Sequence, residues 1–64
     1  MGFTVVYHIV EVTSSRGFNT IANFANFRDA AAYAYSYSAG TGLTVEIQND
    51  LGHVLDSFTV RRDR

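Results

Sequence analysis

Residues 3–12 place the tightest constraint on the fold. Phe3, Val5, Tyr7 and Ile9 alternate with Val6, His8, Val10 and Val12, so both faces of an extended chain here are largely apolar. β-Branched and aromatic residues crowd the run, and neither glycine nor proline interrupts it. That is the make-up of a central strand. Such a strand needs neighbours on both sides and cover for its faces, and the remaining residues must supply both.

After a turn cluster at residues 13–17, residues 18–24 predict a second, weaker strand diluted by Asn19 and Asn23. Asn26 has the side chain of a helix N-cap. Asp29 stands at the third helical position, where a carboxylate favours both cap and dipole. Over residues 27–39 the apolar positions Phe27, Ala30, Ala31, Ala34 and Tyr37 form one stripe at helical spacing. Small alanines in it let the helix sit close to a sheet, and Gly40 is expected to end it in the left-handed conformation. Residues 43–48 alternate apolar and polar as a half-buried strand does. Residues 49–52 read as a hairpin turn with a positive φ at Gly52. A last strand follows over residues 54–60, with Val54, Phe58 and Val60 on one face beside Asp56 and Leu55 on the other. Residues 61–64 are a charged tail expected to fray.

The order is ββαββ in one domain spanning residues 1–64. A right-handed crossover from the second strand through the helix brings the third strand antiparallel beside the first. The expected fold is α+β: a four-stranded antiparallel sheet of order 2-1-3-4 with one helix on one face. The other face still carries about half of the first strand's apolar residues, and a patch of that sort marks an interface. A shift of one residue exchanges the two faces of a strand, so either set meets the helix. Val6, His8 and Val10 are the candidate dimer face, and a homodimer stacked face to face buries them most simply.

At 64 residues, burial on folding is modest and stability marginal. There is no cysteine, which excludes disulfides and thiolate metal sites, and two histidines with six scattered carboxylates make a poor metal cage. No metal and no cofactor is expected. The formal net charge of −1 gives no pull toward nucleic acid or membrane. No apolar run approaches the roughly 20 residues of a membrane-spanning helix. The start of the chain has no basic segment typical of a signal peptide, and Val6 stands where myristoylation wants Ser or Thr. The cytoplasm is the expected compartment.

Catalytic chemistry has little to build on. His8 falls mid-strand and His53 follows a turn, so a strand histidine satisfied by a neighbour and a solvated turn histidine are the expectation. No lysine or cysteine is present, and the serines lie outside any nucleophile context. Gly40-Thr41-Gly42 runs from helix into strand, the reverse of a phosphate loop, and reads as a helix cap. Arg61, Arg62 and Arg64 beside Asp63 read as a solubilising tail. Nucleic acid is not expected as a partner, because the strands offer no basic residue to flank their aromatics.

The helix is the unusual segment. Residues two apart on a helix point about 200° apart, so Tyr33, Tyr35 and Tyr37 cannot all face the sheet. Tyr37 is expected inward, Tyr33 on the shoulder and Tyr35 outward. Exposed tyrosine favours protein interfaces, so these three, with Arg28 on the first turn, are the candidate partner-binding residues.

Two motifs carry a resemblance over most of the chain. Phe27-Arg-Asp-Ala-Ala-Ala-Tyr-Ala on the helix, then Val45-Glu-Ile47 and Asp50-Leu-Gly52 in the second hairpin, resemble small ββαββ bacterial and phage proteins of unknown function. The first strand and helix order are also similar to a β-rich class of small type I anti-CRISPR proteins. The resemblance implies a non-enzymatic accessory protein of a phage or mobile element that engages a host protein. It carries over no functional residue. The alternative is a structural homo-oligomer that uses its open sheet face.

Overall fold

Five elements follow in the expected order: β1 (Tyr7–Thr13), β2 (Gly17–Phe24), α1 (Phe27–Thr41), β3 (Thr44–Gln48) and β4 (Val54–Thr59). The computed structural model describes residues 5–13 and 17–60. The middle of the first turn, the first four residues and the arginine tail lie outside the described residues.

The strands form one antiparallel sheet of order β2-β1-β3-β4, as the crossover argument requires. β1 is central, and its run is shorter than expected: Val5 and Val6 precede it without pairing. Helix α1 begins at Asn26, whose side-chain oxygen accepts from the backbone N–H of Arg28 (2.7 Å) and of Asp29 (3.3 Å). The predicted end at Gly40 is overturned, because the helix continues through it and is capped by Gly42 at φ +77°. The Gly42 N–H reaches the Ser38 carbonyl at 2.7 Å, and the Thr41 hydroxyl donates to the Tyr37 carbonyl at 2.8 Å. Together they satisfy the last turn two residues later than the first glycine would.

The core is small: Ile9, Val45 and Ile47 from the sheet meet Ala30 and Ala34 from α1. Tyr7, Ile21, Ala22, Phe24, Ala31, Tyr37 and Phe58 close around them. The helix therefore covers the Tyr7–Ile9 face of β1, which resolves the choice the sequence left open. Ser38, not an apolar residue, is the third buried position of the helix after Ala30 and Ala34. Its hydroxyl donates to the Leu43 carbonyl (2.7 Å) and accepts from the Val60 N–H (2.8 Å). Phe27, expected in the stripe, is 39% exposed and packs edge-on against Tyr7.

Two bulges adjust the register. One falls opposite Ile9 and Val10, where β2 inserts Ile21 between the partners Thr20 and Ala22. The other falls opposite Ile47 and Gln48, where β4 inserts Leu55 between the partners Val54 and Asp56. The second corrects the expected β4 pattern. Strict alternation puts Val54 with Phe58, but the extra residue turns Val54 to the open face while Phe58 stays under the helix.

Candidate binding face

Opposite the helix, the sheet register sets out a grid of side chains in three rows. Phe18, Val12, Thr44 and Thr59 make one row, and Thr20, Val10, Glu46 and Ser57 the next. Asn23, His8, Gln48 and Val54 make the third. Val10 at the centre is only 4% exposed although no described element packs over it. Phe18 and Val54 at opposite corners are 66% and 52% exposed. A shallow trough of about 440 Å³ runs between those corners, lined by Val10, Phe18, Thr20, Glu46, Gln48, Gly52 and Val54.

His8 borders the trough as a clamp. Its Nδ1 lies 2.6 Å from the Asn23 Oδ1 on β2, and its Nε2 lies 3.0 Å from the Asp50 Oδ1 on the β3–β4 turn. A ring with acceptor oxygens at both nitrogens is fully used as a donor only when doubly protonated. Hydrogen bonds to Asn23 and then to Asp50 accordingly raise its pKa above the ordinary 6.5. The strand histidine is thus satisfied by neighbours, as expected.

The turn that carries Asp50 is itself ordered by Asn49, whose side-chain oxygen accepts from the N–H groups of Leu51 (3.0 Å) and His53 (2.9 Å). Gly52 takes φ +85° there, the positive value expected of it. Glu46, mid-floor, accepts from the Gln48 amide at 3.0 Å. No ion pair reaches it among the described residues.

The structure does not bring the helix candidates into one patch. Tyr33 and Tyr37 stack on the β2 side, with ring centres 6.1 Å apart, and Tyr33 also meets Phe24 at 5.3 Å. The Tyr37 hydroxyl donates to Glu11 at 2.5 Å, which raises the tyrosine pKa. Tyr35 lies on the other shoulder, edge-on to Phe58 of β4 at 6.2 Å, and remains 55% exposed. Arg28 is exposed on the first turn of α1. Of the candidate dimer residues, His8 and Val10 lie on the open face, while Val6 precedes β1 and takes no place in the paired register.

Sequence reasoning missed Phe18, Glu46 and Val54 as members of that face. Glu46 was legible, since clean alternation in β3 puts it opposite Val45 and Ile47. Val54 was not, because the bulge reverses its side. Among the described residues, no group of three or more histidines or carboxylates is placed to hold a metal ion. Among the same residues, no helix is long and apolar enough to cross a membrane. Comparison with known protein families, with curated proteins and with solved structures returned no match.

Proposed function

We propose that this chain is a non-enzymatic protein-binding module whose partner docks on the open face of the sheet. One observation carries the reading: an apolar corner at Phe18 and another at Val54 flank a trough over Val10 that no described element covers. Large apolar side chains left exposed around a concave surface favour burial by another molecule. The tyrosines are a secondary surface, since Tyr33 and Tyr37 are partly spent on each other, Phe24 and Glu11. On the resemblance of α1 and the second hairpin to phage and bacterial proteins, the partner is a host protein met in the cytoplasm.

The test is affinity capture from host lysate with three baits. Wild type and Tyr35→Ala are expected to retain the same protein, and Phe18→Asp to lose it while keeping its fold by circular dichroism. Retention by Phe18→Asp with loss by Tyr35→Ala moves binding to the helix and sinks the proposal.

The small core favours a second reading, the structural homodimer. Among the described residues five apolar side chains are fully buried together, two of them alanines, and a second copy stacked on Val6, His8 and Val10 would add to that core. Light scattering over a concentration range separates the readings: a mass of two chains that Phe18→Asp reduces to one supports the dimer.

A further inference from the structure

The open face carries a charge asymmetry that bears on what lies across it. The paired grid of the face holds one carboxylate, Glu46 on β3, and one histidine, His8, which meets Asp50 of the β3–β4 turn. His8 is already held between Asn23 and Asp50. Glu46 has only the neutral Gln48 amide and no cation among the described residues. It sits mid-floor, half-buried, next to Val10 in the central row. A carboxylate in that position loses water whenever the face is covered, and it then needs a positive partner.

The apolar corners fix the length of what covers it. Phe18 and Val54 are three strands apart across the sheet and four residues apart along it. Standard strand spacings make that diagonal roughly 20 Å, the span of about six residues of extended chain. Side chains that point the same way along an extended segment recur at every second residue. A segment lying on the diagonal thus places apolar side chains on Phe18 and Val54 and an intermediate one over Glu46.

From this juxtaposition we propose that the trough takes an extended segment of a partner protein with apolar residues at its ends and an arginine or lysine between them, the cation pairing with Glu46. The proposal rests on the open face being the binding face, and it adds the chemistry of the occupant. Gln48, whose amide N–H already reaches Glu46, offers a further oxygen for guanidinium N–H groups, which favours arginine.

The experiment uses the full-length protein labelled with nitrogen-15 and two synthetic heptapeptides. One has leucine at both ends, arginine third and threonine elsewhere; its twin has uncharged citrulline for arginine. The arginine peptide is expected to shift the amides of Val10, Thr20, Glu46 and Gln48 saturably. Citrulline is expected to weaken binding about tenfold, the scale of one charge-assisted hydrogen bond. Glu46→Gln, with an otherwise unchanged spectrum, is expected to weaken the arginine peptide by the same factor and leave the citrulline peptide unaffected. Equal binding of the two peptides, an arginine preference that survives Glu46→Gln, or no shift with either peptide overturns the proposal. The underlying reading fails separately, if Phe18→Asp still captures the partner.

Discussion

Ser38 joins three parts of the fold through one hydroxyl. It links the end of α1 to the Leu43 carbonyl that leads into β3 and to the Val60 N–H that follows β4. Ser38→Ala removes both contacts at a fully buried site and leaves a carbonyl and an amide unpaired. The expected loss is about 1–3 kcal/mol, read as a lower midpoint in urea unfolding. His8 acts at a second point, between Asn23 and Asp50. Its folded pKa is raised, so its stabilisation is complete below the unfolded value of 6.5 and is lost as pH rises through the folded value. Wild type is therefore expected to melt lower at about pH 8.5 than at about pH 6, and His8→Gln to lessen that difference. The ring's side chain is 32% exposed, so the effect is modest. A wild-type difference identical to that of His8→Gln would remove His8 from the account.

At the scale of elements, two glycines near the end of α1 do opposite work. Gly40 lies in the helix, and an added Cβ meets nothing within 4 Å. Gly40→Ala is expected to stabilise by about 0.5–1 kcal/mol. Gly42 caps the helix at φ +77°, where a side chain is strained, and Gly42→Ala is expected to destabilise by about 1 kcal/mol. Thermal unfolding of the two variants checks the pair; equal shifts would contradict the cap. Gly40 was the cap expected from sequence, because the apolar stripe gave no reason to extend the helix past Ala39. The hydroxyls of Thr41 and Ser38 that carry it further form tertiary and local bonds no periodicity encodes. The strand order was legible, since the both-faced apolar run of β1 demands a central place and the crossover rule then places β3. The face of β4 was not, because Leu55 is an unpaired insertion and alternation has no mark for it. The helix partner of β1 was undecided for a related reason: Tyr7 with Ile9 and Val6 with Val10 are apolar sets of similar weight.

As a whole, the molecule has one helix for a four-stranded sheet. The helix buries the face of Ile9, Val45 and Ile47. The opposite face keeps Val10 nearly dry between side chains of its own sheet, and leaves Phe18 and Val54 to solvent. The candidate residues His8 and Val10 lie together there, whereas the helix tyrosines are divided between its two shoulders. Binding through the sheet thus asks for no rearrangement of the core, and binding through all three tyrosines at once asks a partner to straddle α1. Chemical-shift mapping of the nitrogen-15-labelled protein with its captured partner tests this most directly. The account predicts that the amides of Val10, Thr20, Glu46, Gln48 and Val54 move while those around Tyr35 on α1 stay in place; shifts confined to α1 would contradict it.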